Sequence, residues 1–189
     1  MGLSKFYLYG DYITINISSP NTEGLRNFHK ENSMIKLLEG LNKVKKEKKI
    51  NKPLLIKLSP DIDEKEISNI VEIIKKYKIN GIIISNTTDQ NRDKLIDSKK
   101  NELGGLSGRP IRDISTKLIK KFYKETKKNI AIIGVGGVDS GESAFEKIAA
   151  GATAIQLYTG MVYKGPTVVK EIKKELISIL KNKKIKNIS

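Results

Sequence analysis

Seven consecutive residues, Asn16-Ile17-Ser18-Ser19-Pro20-Asn21-Thr22, gather amides, hydroxyls and a proline directly after Tyr12-Ile13-Thr14-Ile15. The preceding segment has the composition of a buried β-strand. The end of a strand is where α/β proteins build their sites. Other apolar runs end in chemistry too. Leu54-Leu55-Ile56-Lys57-Leu58 carries a lysine among aliphatic residues, and a charge placed there calls for a fixed polar or anionic partner, or for a side chain that snorkels out. Ile82-Ile83-Ile84 leads into Ser85-Asn86-Thr87-Thr88, Ile130-Ala131-Ile132-Ile133 into Gly134-Val135-Gly136-Gly137, and Ala154-Ile155-Gln156-Leu157 into Tyr158-Thr159-Gly160. Glycines between a strand and a helix let backbone N–H groups approach a phosphate. In parallel barrels that cradle commonly follows the last two strands. Such a set suits a flat, hydrogen-bonding ligand held against a phosphorylated cofactor.

Other chemistries lack their residues. The chain has no cysteine and a single histidine, His29, which reads as a surface residue with no metal role. No Ser-His-Asp or Cys-His set is available for covalent hydrolysis. The spacing G-x-G-x-x-G of a dinucleotide fold is absent.

The elements that position these residues alternate. Between the five apolar runs lie helical stripes: Met34, Leu37, Leu38, Leu41 and Val44; Ile67, Ile70, Val71 and Ile74 behind a capping box from Asp63 to Glu66; Ile114, Leu118 and Phe122; Ser140 to Ala150, closed by Gly151; and Val169, Ile172, Leu176 and Ile179. Strands alternating with helices predict a parallel sheet with crossover helices. An open doubly wound sheet and part of a (β/α)8 barrel both satisfy the pattern. Five strands in 189 residues would be the later part of a barrel, which takes about 250 residues when whole. The longest connection, Asn86 to Arg112, is polar and glycine-punctuated, as functional loops are.

Composition sets outer bounds. A hydrophobic fraction of 38% supports a folded core, and 189 residues fit one domain over residues 1–189. No apolar run approaches the ~20 residues of a membrane-spanning helix, and the first residues carry no signal-peptide core. The net charge of +15 raises nucleic acid or an anionic membrane as partners. The excess is lysine on the polar faces of several helices, with no aromatic-interleaved basic strip, so no nucleic-acid role is expected.

Six ordered motifs carry a family resemblance: Asn16–Thr22, Lys57-Leu-Ser-Pro-Asp61, Ser85–Thr88, Gly104-Gly-Leu-Ser-Gly108, Gly134–Gly137 and Gln156-Leu-Tyr-Thr159. In order and spacing, from about Tyr12 to Leu180, the chain resembles dihydroorotate dehydrogenase. The resemblance implies an FMN-dependent (β/α)8 barrel that oxidises dihydroorotate to orotate in pyrimidine synthesis. It implies Ser19 as the catalytic base for the C5 proton, and Asn16, Asn21, Asn86 and Thr87 as substrate ligands. It implies Asn16, Lys57, Ser85, Gly108, Gly136, Gly137, Tyr158 and Thr159 as FMN-binding positions, with Lys57 at the flavin ring. Serine rather than cysteine at position 19 implies the membrane-associated class that reduces a quinone, at the mitochondrial inner membrane in a eukaryote. A serine hydroxyl is a poor base at neutral pH and needs a relay, for which Thr22 and Ser18 are both candidates.

The chain is expected to supply the last five strand–helix units of that barrel. The family's first three strands, and the N-terminal helices that contact membrane and quinone, are expected to lie outside it. A partial barrel exposes a strand edge and an apolar face, so the chain by itself is expected to fold and hold flavin poorly. A non-catalytic fragment is thus the alternative reading, and another FMN barrel oxidoreductase the third.

Overall fold

The computed structural model describes residues 2–90 and 92–188. Five parallel strands form one sheet in the order β1-β2-β3-β4-β5: Ile13–Asn16, Leu54–Leu58, Gly81–Ile84, Ala131–Gly134 and Ala154–Ile155. Strictly sequential order with a helix in each crossover is barrel winding. A doubly wound sheet reverses its order at a switch point. Gln156 Nε2, just past β5, donates to the Tyr12 hydroxyl, just before β1, across 3.1 Å. The two outermost strands of the sheet thus curl toward each other.

The helices are α1 (Gly2–Phe6), α2 (Glu31–Glu47), α3 (Ile67–Lys76), α4 (Arg112–Thr126), α5 (Gly141–Ala149), α6 (Thr159–Lys164) and α7 (Val168–Asn182). Their apolar stripes meet one face of the sheet. Ile56, Ile82 and Ile132 of the central strands pack with Leu38, Ile70, Ile74, Ile119 and Phe122, all fully buried or nearly so. Each such side chain contributes about 1.5–3 kcal/mol by leaving water. Val138, Ala144, Val168 and Ile172 form a smaller core where α5 packs on α7.

Two local readings need correction. The segment Asp63–Glu66 does not form a capping box. Asp63 accepts from the Lys65 amide and caps a 3-10 turn over Glu64–Glu66, and α3 starts only at Ile67. The capping box lies instead at α5, where the Ser140 and Ser143 side chains satisfy each other's backbone amides. The outer strands are also less buried than their composition implies. In β1, Ile13 to Ile15 are half-buried and Asn16 is exposed, because no strand flanks β1 or β5 on its outer side among the described residues.

Candidate active site

The register gathers the strand ends. Asn16 lies beside Lys57, and Leu58, Ile84, Gly134 and Ile155 follow one another across the sheet. The loops after all five strands therefore open on one rim.

At the β1 side, Asn16 Oδ1 accepts from the Ser18 amide (3.2 Å), the Ser18 hydroxyl (3.0 Å) and Asn86 Nδ2 (3.2 Å). Three donors on one oxygen settle which end of the amide is which. The Asn16 NH2 donates to no acceptor among the described residues, so both its hydrogens are uncommitted. Asn86 spends its second amide hydrogen on the Ser18 hydroxyl (3.0 Å), and its Oδ1 accepts from the Thr87 amide (2.8 Å). Ser18 is fully buried, and its hydroxyl hydrogen is committed to Asn16. Among the described residues the Ser19 hydroxyl accepts from the Asn21 amide, at 3.2 Å, and donates to none, so its proton is uncommitted. The Gly104–Gly108 segment closes over this group. A Cβ on Gly105 would overlap the Thr87 hydroxyl and sit 3.1 Å from Pro20 Cγ. Thr88 and Leu106 exchange both backbone hydrogen bonds and hold the segment there.

Lys57 is half-buried, and its side chain makes no hydrogen bond or ion pair among the described residues. The anionic partner called for by its setting is not supplied by a side chain of this structure. Desolvation holds its ammonium below the ordinary lysine value. A cation in that state gains from any anionic ligand brought beside it. Ser85 is buried in the strand end, its hydroxyl donating to the Asn86 carbonyl at 3.1 Å.

At the β4–β5 side, Gly108, Gly137, Thr159 and Gly160 line a cavity of about 380 Å³ together with Arg109 and Lys164. Gly108 (φ 75°) and Gly137 (φ 73°) adopt the left-handed region. A Cβ on Gly108 would meet Thr159 Cγ2 at 2.9 Å, and the Thr159 hydroxyl donates to Ser107 (2.9 Å). Arg109 pairs at 2.6 Å with the carboxylate of Asp139, which also lines the cavity, and Lys164 donates to the Asp139 carbonyl, so two cations flank the cavity, one of them already paired. Bare backbone, a hydroxyl and cations fit a phosphate group. Two expected positions sit differently. Neither Gly136 nor Tyr158 is among the residues that line this cavity: a Cβ on Gly136 would face Ile111 and Ser115, and Tyr158 is 80% exposed.

Two polar residues escaped the sequence reading. His29 is buried, which corrects its assignment to the surface. Its Nε2 accepts from the Ser59 amide (3.2 Å), which makes Nδ1 the donor to the Arg26 carbonyl (2.9 Å). Desolvation holds the imidazole below its ordinary value, in keeping with a neutral ring. Lys147 of α5 is fully buried and donates to the Arg112 carbonyl (2.9 Å), Ser115 (3.0 Å) and Thr116 (2.7 Å), with no carboxylate among these acceptors. Ser115 in turn donates to the Val135 carbonyl inside the glycine loop. The helical spacing Ser143, Ala144, Lys147 on an otherwise small-residue face was the available signal.

Sequential parallel strands with crossover helices, polar loops on one rim and a phosphate-shaped cavity at the last two strands define part of a β/α barrel with its site on the βα loops. Residues 1–180 match the Dihydroorotate dehydrogenase family. The chain is 43% identical over its whole length to a quinone-type dihydroorotate dehydrogenase of Bartonella tribocorum, covering 53% of that protein. It is 44% identical over 95% of its length to one of Trichodesmium erythraeum, covering 49%. It is 40% identical over 98% to a protein of Schizosaccharomyces pombe named as the mitochondrial quinone type, covering 42%. A crystal structure of the Eimeria tenella enzyme in complex with ferulenol superposes with a TM-score of 0.94 at 33% identity, over 99% of this chain and 54% of that one. The chain belongs to the dihydroorotate dehydrogenase family, in its quinone-type class. It spans about half the length of the relatives it matches. No helix among the described residues is long and apolar enough to cross a membrane.

Proposed function

We propose that this chain carries the dihydroorotate-oxidising face of an FMN-dependent, quinone-reducing dihydroorotate dehydrogenase acting in pyrimidine synthesis. The observation that supports it best is the joined cluster Asn16–Ser18–Asn86–Thr87, bonded at 2.8–3.2 Å beside a Ser19 hydroxyl whose proton is uncommitted. The Asn16 NH2 and the exposed Asn21 amide suit the carbonyl and carboxylate oxygens of dihydroorotate. Asn86 and Thr87 complete that set. Ser19 takes the C5 proton. Ser18 has committed its hydrogen to Asn16, which leaves Thr22, at the loop's open end, as the hydroxyl that relays the proton to solvent.

FMN, when bound, would supply a two-electron acceptor at substrate C6, with a quinone as the final acceptor. Gly108, Gly137 and Thr159 would hold its phosphate, with Gly136 and Tyr158 contributing backbone. Lys57 and Ser85 would face the ring, and the Lys57 ammonium would stabilise negative charge there. Quinone and membrane contact would fall to the part of the relatives that this chain does not span, at the mitochondrial inner membrane in a eukaryote. Residues 1–189 would then be one incomplete barrel domain.

The test joins this chain to the N-terminal portion of the Bartonella tribocorum relative and follows dihydroorotate-dependent quinone reduction. Ser19→Ala should lower kcat by roughly 10²–10⁴-fold, as loss of a general base does, while the flavin spectrum stays. Unchanged turnover would overturn the role of Ser19, and a colourless protein would overturn the cofactor site. The second reading, a fragment without activity, is favoured by the two unflanked sheet edges. An FMN titration of the 189-residue chain alone decides it, since tight stoichiometric binding is incompatible with an inert fragment.

A further inference from the structure

We infer that Arg26 is a positioning residue that clamps the loops after β1, β2 and β3 into one rim, fixing Ser19 against the Asn86–Thr87 pair. The inference rests on the roles proposed above for Ser19, Asn86 and Thr87. Arg26 lies on the 3-10 turn Leu25–His29 that ends the loop bearing Ser19. Its Nη2 sits 3.2 Å from Asp61 Oδ2, in the loop after β2. Its Nη1 donates to Asp89 Oδ1 at 2.8 Å, in the loop after β3. One guanidinium thus joins three consecutive loops, by an ion pair to Asp61 and a hydrogen bond to Asp89. Lysine, a single point charge, would not.

The surrounding bonds extend the tie. Asp61, its side chain 6% exposed, accepts from the Thr88 hydroxyl at 2.6 Å, one residue beyond Thr87. The same hydroxyl accepts from the Gln90 amide (2.9 Å), and the Thr88 backbone pairs with Leu106 in the segment that covers Thr87. The Asp61 amide is held by Ser59, and the Ser59 amide by His29 on the arginine's own turn.

The network is poorly arranged for stability alone. Arg26 Nε and Nη2 are both buried with no hydrogen-bond partner among the described residues, so Asp61 is held by charge and not by a hydrogen bond. A partly buried ion pair with unsatisfied donors is seldom better than an apolar substitute, and its value lies in fixing one geometry. Here the geometry fixed is that of the three loops bearing the site.

Hydrogen–deuterium exchange on the joined protein described above tests the clamp without substrate or turnover. Arg26→Met should speed exchange at the amides of Asn21, Asp61 and Thr88 while those of β2 and β3 keep their protection. Arg26→Lys should tether one loop and free another. Asp89→Asn removes only the half-exposed carboxylate, so the chain folds, and should loosen the β3 loop alone. Unchanged loops, or exchange that rises equally in the strands, would overturn the inference. In the joined enzyme, Arg26→Met should cut kcat by about 100-fold, the scale of a 1 Å misplacement, with flavin content unchanged because the phosphate cavity lies at the other end of the sheet. Loops that loosen while Ser19→Ala leaves turnover intact would sink the proposed function and leave the clamp standing.

Discussion

Gly137 shows how little freedom one residue of this site has. At φ 73° it occupies a region that side chains disfavour, and a Cβ there would lie 2.5 Å from Arg112 Cβ. Gly137→Ala should therefore cost about 1–3 kcal/mol, read as a lower urea midpoint. Lys147 makes the opposite case, a side chain the interior accepts at a cost. Desolvation lowers its ammonium to about 8 from the ordinary 10.5, while Glu146 and Asp113 oppose the shift and Arg112 adds to it. Between those values the unfolded chain holds a proton that the folded chain has released. Stability should therefore rise as pH climbs through 8 toward 10. Lys147→Met should flatten that rise in urea titrations at successive pH values. Neither residue's constraint was equally visible beforehand. Gly136-Gly137 announced itself as a strand-end turn. A lysine in a chain rich in lysine did not, because burial depends on α4 lying across α5. His29 failed for the same reason: its partner, the Ser59 amide, lies thirty residues away along the chain.

At the scale of elements, the strands and the helical faces were readable because apolar period carries them directly. The helix ends were legible only in part: Gly151 closes α5 as its glycine announces, but other ends carry no such sign. Three helices close with the same pair of residues, Lys49-Ile50, Lys78-Ile79 and Lys184-Ile185. In each the lysine is left-handed (φ 51°, 53° and 55°) and bonds three residues back, while the isoleucine amide reaches five residues back. That is a Schellman closure with an apolar residue at its second position. Such turns usually signal themselves by glycine, and here they do not. Lys49→Gly and Lys78→Gly should each gain about 0.5–1 kcal/mol, since relief of the left-handed penalty exceeds glycine's extra chain entropy. Additive rises in thermal midpoint would check it, the two sites lying on different helices. Unchanged midpoints would mean that lysine's charge at the helix C-terminus offsets the strain.

For the whole molecule, two features oppose each other. The sheet ends in β1 and β5 without a flanking strand among the described residues, which leaves backbone donors and acceptors open to pairing. Large apolar side chains lie exposed beside those ends: Phe6, Leu8, Tyr9 and Tyr12 before β1, and Tyr158, Val162 and Tyr163 after β5. Both favour self-association. Against them stands a net charge of +15, whose mutual repulsion between copies acts over a Debye length of about 10 Å at 0.1 M salt and about 3 Å at 1 M. Salt therefore weakens the repulsion and leaves the apolar and edge contacts nearly untouched. The 189-residue chain should sediment as a monomer at low ionic strength and associate as sodium chloride is raised. Replacing Tyr9 and Tyr163 with lysine should move the onset to higher salt. Association that instead falls with salt would place the contacts among the charged helix faces and not at the sheet edges.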